Sequence, residues 1–371
     1  MENDQAFEIF CACAPGMEAL LAEEMRASGF ADAKRTPGGA QIMGGWPEVW
    51  RANLVLRGAN RVLARIGSFR VVHMAQLDKR ARRFEWAKFL KPGVPLRVET
   101  TCRRSKIYHA RAATQRIETA LREEFGAEID NSAEICIRVR IEDNLCTISL
   151  DSSGELLHKR GHKAAVNKAP MRETLAALFL RACGYDGAEN VIDPMCGSGT
   201  FVIEAAEMAL GLAPGRARRF AFEQFAGFDA SAFKALKASI KTKPTDLRFY
   251  GSDRDAGAIR MSAQNAEEAG VFEACSFTHA PILDLERPDC EPGLIIINPP
   301  YGGRIGNKKA LYSVYDTIGQ VLKTRFKDWR VGLITSETAL AKATRLPFNK
   351  PGPIIDHGGL KVRLYQTDTL R

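Results

Sequence analysis

Residues 191–201 read Val191-Ile192-Asp193-Pro194-Met195-Cys196-Gly197-Ser198-Gly199-Thr200-Phe201. This pattern predicts a short strand, a glycine-bearing turn and the start of a helix. Gly197 and Gly199 let the backbone approach a ligand closely, and the first helical turn presents free N–H groups at the same point. The carboxylate of Asp193 would repel phosphate, so a cationic or hydroxyl-rich ligand fits this turn better than a pyrophosphate.

Strands and helices alternate from Pro170 onward. The candidate strands are Val191–Ile192, Leu247–Tyr250, Cys275–Thr278, Leu294–Ile297 and Val331–Thr335, and helices begin near Pro170, Thr200, Asp255 and Leu311. Regular alternation predicts an α/β fold with a doubly wound, mainly parallel sheet. After Gly358-Gly359, the run from Leu360 to Thr367 is expected to add an edge hairpin strand.

A second motif, Asn298-Pro299-Pro300-Tyr301, directly follows the apolar run Leu294–Ile297. Open α/β sheets bind ligands at such strand ends. Two successive prolines fix φ and remove two backbone donors. The turn therefore offers carbonyl oxygens and the Asn298 amide beside an aromatic ring, which suits a planar amine. A proline loop that merely ends a strand is the alternative, and the glycine turn upstream weakens it.

The two motifs, in this order, resemble those of class I S-adenosylmethionine-dependent methyltransferases that modify exocyclic or amide nitrogen. The likeness extends to Ala169–Ala177, to the insertion around Leu212–Arg216 and Arg219–Glu223, and to Asn298–Gly306. The chain is identified as a member of the THUMP-domain RNA guanine-N2 methyltransferase family, similar to enzymes that act on large-subunit ribosomal RNA. The specific motifs lie within residues 155–305.

The resemblance implies three domains. A ferredoxin-like unit is expected over residues 1–67, an RNA-binding THUMP domain over 68–157 and a Rossmann-like methyltransferase domain over 165–371. In the first, Ala6–Cys13 and Gln41–Trp46 are predicted strands, Pro15–Ser28 is a predicted helix and Arg51–Arg65 is a mostly helical run. In the second, Leu96–Thr101 is a strand, Ala112–Phe125 is a helix, and Glu134–Val139 and Leu145–Leu150 form a hairpin.

The implied cofactor is S-adenosylmethionine. Its expected binding residues are Asp193, Pro194, Met195, Cys196, Gly197, Gly199, Thr200, Asp253, Asp284 and Asn298. Asp253 would accept hydrogen bonds from the ribose hydroxyls, and its alternative role as the cap of the helix before Ala256 is compatible with that. It lies much further from the glycine turn than the ~20 residues typical of nicotinamide-binding domains, which counts against a dehydrogenase. Asp284 would face the adenine amino group, or else be a solvated loop acid.

The catalytic residues are expected to be Asn298, Pro299, Pro300 and Tyr301. The Asn298 side chain and the Pro299 carbonyl would accept the two amine hydrogens and direct the lone pair at the methyl group. Tyr301 would stack on the extruded base. Positioning supplies most of the rate, so neither a metal nor a covalent intermediate is required. Cys196 lies in the cofactor turn, so a nucleophilic role is rejected.

The predicted macromolecular partner is RNA. The net charge is +9, and the interval from Arg51 to Arg111 is rich in Lys and Arg, with only Asp78, Glu85 and Glu99 as acids. Arg103, Arg104 and Lys106 are the favoured RNA contacts, and Arg304 is assigned to substrate phosphate. Basic surface helices without a partner are the alternative. Ribosomal RNA is favoured over transfer RNA, and the segment His158–Lys163 is either an RNA or cofactor edge or a solvated linker.

Other features exclude whole classes of protein. The chain has 371 residues, suiting two or three domains, and no run of about 18 apolar residues that would span a membrane. Nine scattered cysteines without a Cys-x2-Cys pair favour a metal-free cytoplasmic protein, and no signal peptide is evident. Since the chain ends at Arg371, one modification is expected. The competing functions are a DNA or protein-glutamine amino-methyltransferase and a non-catalytic RNA assembly factor.

Overall fold

The computed structural model describes residues 6–161, 171–301 and 308–371, and strands and helices are numbered here along the whole chain. The chain forms two compact units. Unit 1 comprises Met1–Cys13, Ala22–Leu157 and Arg218–Ser239, and unit 2 comprises Ala14–Leu21, His158–Ala217 and Ile240–Arg371.

Unit 1 contains a seven-stranded sheet. Its strands are β1 (Phe7–Ala12), β2 (Lys34–Thr36), β3 (Gly39–Gly44), β4 (Arg61–Arg70), β5 (Leu96–Arg103), β6 (Ile135–Glu142) and β7 (Leu145–Asp151). They lie in the order β2-β3-β1-β4-β7-β6-β5, and only β5 and β6 pair in parallel. The predicted domain boundary after residue 67 falls inside β4, so both predicted N-terminal domains share this sheet, and the division between them stays a prediction.

The helices of the N-terminal half are α1 (Glu18–Ala27), α2 (Trp46–Val55), α3 (Met74–Arg82) and α4 (Ala110–Ala120). A π-helical turn, Leu121–Phe125, extends α4 to Gly126, whose φ of 71° ends the helix in the left-handed conformation. The predicted helix up to Gly126 and the predicted β6–β7 hairpin are therefore confirmed.

Two N-terminal predictions were wrong. Arg51–Arg65 is not one helical run, because α2 ends at Val55 and β4 begins at Arg61. The alternating residues Val62 and Ala64 of β4 are fully buried, which is the period of two that a strand requires. The strand predicted to reach Trp46 ends at Gly44, since Trp46 is the first residue of α2.

The insertion within the methyltransferase-like sequence contributes its central part to unit 1. Arg218–Ser239, including α7 (Ala230–Ser239), brings several phenylalanines into the core of that unit. The Trp50 ring lies 6.3 Å from Phe222 and 5.8 Å from Phe228, between ring centroids. Phe222 is fully buried and also meets Phe233 edge-on at 5.0 Å. The segment is therefore a packed part of unit 1 and not a surface loop.

Unit 2 contains a second seven-stranded sheet. Its strands are β8 (Val191–Asp193), β9 (Phe249–Asp253), β10 (Cys275–His279), β11 (Leu294–Ile297), β12 (Arg330–Thr335), β13 (Ile355–His357) and β14 (Leu360–Gln366). The order is β10-β9-β8-β11-β12-β14-β13. The first five strands are parallel, and β14 runs antiparallel to both of its neighbours. The predicted doubly wound, mainly parallel sheet is confirmed.

The helices of unit 2 are α5 (Glu173–Ala182), α6 (Thr200–Ala209), α8 (Ala256–Ala269), α9 (Lys308–Arg325) and α10 (Thr338–Ala343). The predicted edge position of the closing strand was wrong, because β14 lies inside β13, which forms the edge. Within the described parts of the chain, no helix has the length and apolar character needed to cross a membrane.

Candidate active site

The candidate site lies where the strand order of unit 2 reverses direction. The chain moves outward from β8 through β9 to β10, and then returns to β11 on the other side of β8. Ligands of open α/β sheets bind beyond the carboxyl ends of the strands at such a reversal. Asp193 ends β8, Asp253 ends β9 and Asn298 directly follows β11. Because these strands are adjacent and parallel, the three side chains belong to one edge of the sheet.

Two glycines shape the turn between β8 and α6, and each adopts a positive φ. Gly197 has a φ of 55°, and an added Cβ would meet no atom within 4 Å. Gly199, at 82°, is the N-cap of α6, and a Cβ there would lie 3.1 Å from side-chain atoms of Ile203 and Ser262. The turn is therefore crowded beneath Gly199 and open beside Gly197, where a ligand can approach the backbone.

Asp253 ties the glycine turn to the loop after β9. One carboxylate oxygen accepts a hydrogen bond from the Gly197 N–H at 3.0 Å, and the other accepts one from the Asp255 N–H at 2.9 Å. The alternative role of Asp253 as a helix cap is wrong, because Asp255 is the N-cap of α8 and accepts from the Gly257 N–H at 2.7 Å. Asp253 is half-buried, so its carboxylate is held at the site and remains partly accessible.

Asp193 is the buried acid of the site, with a side chain only 2% exposed. Burial, together with the negative charge of Asp253, raises the pKa of its carboxyl group from 3.8 to about 8. The hydrogen bond that Oδ1 accepts from the Met195 N–H at 3.1 Å opposes this rise. Near neutral pH the carboxyl group is protonated in the free protein, and a cationic ligand would favour its ionised form.

Helix α8 holds the glycine turn from below through two residues that the sequence does not single out. Ser262 Oγ donates to the Gly197 carbonyl at 2.9 Å, and Asn265 Nδ2 donates to the Ser198 carbonyl at 3.0 Å. Both side chains are almost fully buried. Cys196 is buried beside them, with its Sγ 3.7 Å from Ser262 Oγ, and burial raises the pKa of its thiol. A protonated, buried thiol does not act as a nucleophile.

Asn298 presents an acceptor that the described residues leave unsatisfied. Its Oδ1 is buried and accepts no hydrogen bond from any described group. Leaving a buried polar atom unpaired costs about 1–3 kcal/mol, so such an atom in a native structure needs an explanation. A ligand that donates a hydrogen bond at this point provides one.

The two prolines and Tyr301 complete the turn. Pro299 is buried, and the Pro300 carbonyl accepts a hydrogen bond of 3.4 Å from the Tyr315 hydroxyl. The Tyr301 side chain is only 3% exposed. Its predicted stacking on a base therefore requires the ring to become accessible when substrate binds, and it stays a prediction.

Tyr315 is a supporting residue that sequence analysis missed. It lies on α9, is fully buried, and its hydroxyl also lies 3.1 Å from Thr335 Oγ1 at the end of β12. Burial raises the pKa of this phenol. A tyrosine inside a long amphipathic helix resembles an ordinary core residue, so no pattern in the sequence links it to the Asn-Pro-Pro turn.

Asp284 is the least integrated of the expected cofactor residues. It is exposed at the end of a single 3-10 turn, Ile282–Asp284, that follows β10. Among the residues that the structure describes, none forms a hydrogen bond that would link the Asp284 side chain to the rest of the site. Both its adenine-binding role and its alternative as a solvated acid therefore remain predictions.

The described part of the segment His158–Lys163, which opens the second stretch of unit 2, is less solvated than a charged linker would be. Arg160 is 2% exposed, and its guanidinium lies 3.1 Å from the carboxylate of Glu204, on α6. Burial lowers the pKa of His158 to about 4. His162 and Lys163, which complete the predicted segment, lie outside the described residues.

The RNA contacts predicted from the sequence belong to unit 1, apart from Arg304, which lies outside the described residues. Arg104 pairs with Glu142 and with Asp143, both at 2.9 Å, and Arg103 lies 3.9 Å from Glu142. Further acids outside the basic interval pair with bases inside it: Glu8 with Arg65, Asp151 with Arg61, and Glu123 and Glu124 with Arg82. Folding therefore neutralises part of the local charge excess.

Three family models match the chain. Residues 8–63 match the RlmL ferredoxin-like domain, residues 72–151 match the THUMP domain, and residues 160–350 match the RMKL-like methyltransferase domain. The last of these alone covers more than half of the chain.

Relatives of known name agree with these matches. A Synechocystis protein named as a candidate RNA methyltransferase is 31% identical over 96% of this chain and 95% of its own length. The ribosomal RNA large subunit methyltransferase K/L of Syntrophotalea carbinolica is 33% identical over 98% of this chain and 54% of its own length. The chain thus spans about half the length of that relative. The crystal structure of SMU.472, a candidate methyltransferase complexed with SAH, superposes with a TM-score of 0.88 at 26% identity, covering 99% of both chains.

Proposed function

This chain belongs to the THUMP-containing family of RMKL-like methyltransferases, and we propose that it transfers a methyl group from S-adenosylmethionine to the exocyclic N2 amine of a guanosine in 23S ribosomal RNA. The observation that carries the proposal is the buried, unsatisfied Oδ1 of Asn298 at the point where the strand order of unit 2 reverses. The names of the K/L relatives support ribosomal RNA as the substrate, and the cytoplasm is the proposed location of the reaction.

The residues of the glycine turn fit the proposed cofactor. A phosphate-binding turn would not place the carboxyl groups of Asp193 and Asp253 beside its backbone, whereas a cationic, hydroxyl-bearing ligand suits both. Gly197 leaves open space on the side where the ligand would lie. When bound, S-adenosylmethionine supplies a methyl group activated by the positively charged sulfur. Asp193 would stabilise positive charge, Asp253 would bind the ribose hydroxyls, and Pro194 to Thr200 would form the wall of the site.

The Asn-Pro-Pro-Tyr turn would hold the nucleophile. The N2 amine of guanine is a weak nucleophile because its lone pair is delocalised into the ring. Asn298 Oδ1 and the Pro299 carbonyl would each accept one amine hydrogen, which orients the remaining lone pair toward the methyl group. The prolines keep the acceptors fixed, and Tyr315 steadies the turn through the Pro300 carbonyl. Positioning of this kind supplies a large part of the barrier reduction.

The proposed division of labour between the units follows the same matches. Unit 1 would bind structured RNA through its THUMP region, the proposed domain 68–157, which follows the proposed ferredoxin-like domain 1–67. Unit 2 would carry out the transfer through residues of the proposed domain 165–371. Arg103, Arg104 and Lys106 remain proposed RNA contacts, and Arg304 a proposed phosphate contact.

The direct test uses labelled S-adenosylmethionine with three unmodified substrates, namely 23S ribosomal RNA, transfer RNA and duplex DNA. Label in the ribosomal RNA, recovered as N2-methylguanosine by nucleoside mass spectrometry, is the expected result. Label recovered from transfer RNA alone would make transfer RNA the substrate. Methyladenine recovered from DNA would mean that the methylated amine is that of adenine in DNA and not the N2 amine of guanosine. Cofactor binding without label in any polymer would reject the proposed reaction.

A further inference from the structure

The loop between β5 and α4, residues 104–109, exposes the most accessible large aromatic side chain of the described residues. Tyr108 is 71% exposed. Its ring lies beside that of His109, with centroids 4.1 Å apart and planes inclined by 43°. Isolated exposed aromatics are common and need no function. Two adjacent exposed rings present more aromatic surface than one.

This loop is anchored to the protein immediately before its exposed aromatic pair. The Lys106 N–H donates to Asn144 Oδ1 at 2.9 Å, and the Asn144 N–H donates to Ser105 Oγ at 3.0 Å. Ser105 Oγ in turn donates to the Arg103 carbonyl at 2.8 Å. The side chain of Ile107 is 4% exposed, so it fixes the loop to the core immediately before Tyr108. The aromatic pair is therefore presented outward from an ordered backbone.

The charges around the aromatic pair differ from those of the neighbouring arginines. No acid occurs in the sequence between Thr100 and Ile117. Lys106 and Arg111 are exposed, and neither makes an ion pair with any residue in the described parts of the chain. Arg104, by contrast, pairs with Glu142 and Asp143. The unpaired cations thus flank Tyr108, and an anion that approached the loop would not have to displace a carboxylate from either.

We propose that this loop is a stacking platform for an unpaired base of the substrate RNA, with Tyr108 against the base and Lys106 and Arg111 on the adjoining phosphates. An aromatic face accepts any base, and backbone phosphates supply the matching negative charge. The inference rests on the proposed function only in taking RNA as the partner. It adds that the RNA contains a single-stranded element and that Tyr108 and Arg111 contact it.

The test measures binding of the full chain to a stem–loop RNA with a short single-stranded 3′ extension, and to the same stem ending bluntly. Tyr108→Ala should weaken binding to the extended RNA by about 5-fold to 100-fold and leave the blunt stem unaffected. Tyr108→Phe keeps the aromatic face and should bind like the wild type. Met43→Ala, which removes another exposed side chain of unit 1, is the matched control.

The cations are tested by the dependence of binding on salt. Arg111→Ala should lower the slope of log affinity against log salt concentration by about 0.7. Arg82→Ala removes an arginine that is paired with Glu123 and Glu124 and is not a proposed RNA contact, so its slope should change less. Equal binding of the extended RNA by Tyr108→Ala and wild type would overturn the proposal, even if guanosine is methylated. Conversely, RNA binding that depends on Tyr108 without any methylation would leave this inference standing and reject the proposed reaction.

Discussion

At the scale of single residues, the chemistry of the proposed reaction depends most on Asn298. Substituting Asn298→Ala removes the buried oxygen that would accept a hydrogen of the amine. By comparison with the loss of one fixed hydrogen-bonding group in other active sites, we expect kcat to fall by about 100-fold to 1,000-fold. Single-turnover methylation of 23S ribosomal RNA measures this change.

The control for Asn298→Ala is the affinity for S-adenosylhomocysteine, measured by calorimetry. Asn298 follows β11, whereas the glycine turn lies between β8 and α6. Cofactor affinity should therefore change little. A variant that methylates at the wild-type rate would show that the amine is held by other groups, and equal losses of rate and cofactor affinity would indicate a general distortion of the site.

Asp193 makes cofactor binding depend on pH. Its folded-state pKa of about 8 lies above the ordinary value of 3.8 for an aspartate, so the folded protein retains a proton that the unfolded chain releases between these values. That contribution destabilises the free protein progressively as the pH rises from about 4 to about 8. A cationic ligand favours the carboxylate, so binding should expel the proton below pH 8, and affinity should rise with pH and level off above that value.

Calorimetric titrations in two buffers of different ionisation enthalpy detect this proton release. Asp193→Asn is the control, because its amide does not titrate and the remaining pH dependence belongs to the ligand or to other groups. If the wild type and Asp193→Asn show the same pH profile, the carboxyl group does not change its protonation on binding. The cofactor would then interact with Asp193 as a neutral hydrogen-bonding group.

At the scale of secondary-structure elements, the junction of β8 and α6 tests how the turn is built. Gly199→Ala places a side chain in the left-handed conformation, which costs about 1–2 kcal/mol, and its Cβ would also press on Ile203 and Ser262. Gly197→Ala has the same conformational cost without the crowding. We therefore expect Gly199→Ala to lower the free energy of unfolding more than Gly197→Ala in denaturant titrations.

The effects of the two glycine substitutions on cofactor affinity should follow the opposite order. A methyl group at Gly197 enters the open side of the turn, where the cofactor would lie, whereas one at Gly199 faces α8. Gly197→Ala should accordingly weaken cofactor binding more than Gly199→Ala does, although it lowers the free energy of unfolding less. A larger stability loss for Gly197→Ala than for Gly199→Ala would contradict the packing described here.

Sequence patterns identified most elements of unit 2 because each functional group directly follows an apolar strand. The strands that end at Asp193 and Ile297 begin where predicted, and the order of helices was correct. The failures occurred where tertiary packing decides. Arg61–Arg70 carries many bases and alternates only weakly, yet it becomes a central strand of unit 1. Ser262, Asn265 and Tyr315 resemble ordinary helix residues, and only the fold brings them to the two loops that they support.

At the scale of the whole molecule, folding pairs several bases of the interval from Arg51 to Arg111 with acids from other parts of the chain. The interval from Arg51 to Arg111 is unbalanced in sequence because its acidic partners are distant along the chain: Glu142 and Asp143 pair with Arg104, and Asp151 pairs with Arg61. Exposed ion pairs contribute little to stability, but they do compete with phosphate for the same guanidinium groups. Charge counted along the sequence is therefore a weaker guide to an RNA surface than the unpaired cations that remain after folding.

The insertion couples the stability of unit 1 to a segment located between two parts of unit 2 in the sequence. Phe222 is fully buried among Trp50, Phe228 and Phe233, and its N–H donates to the Ser152 carbonyl at 3.1 Å.

Phe222→Ala should lower the free energy of unfolding by about 3–5 kcal/mol, the usual effect of removing a large aromatic side chain from a core. Hydrogen exchange should therefore accelerate in β4 and β7 of unit 1, while amides of β8 and β11 in unit 2 keep their protection if the units unfold independently. Phe272→Ala, which removes a phenylalanine that is 39% exposed in unit 2, provides the comparison. Unchanged exchange in β4 and β7 after Phe222→Ala would mean that the aromatic cluster does not support the sheet of unit 1, whereas equal acceleration in both sheets would mean that the two units unfold as one.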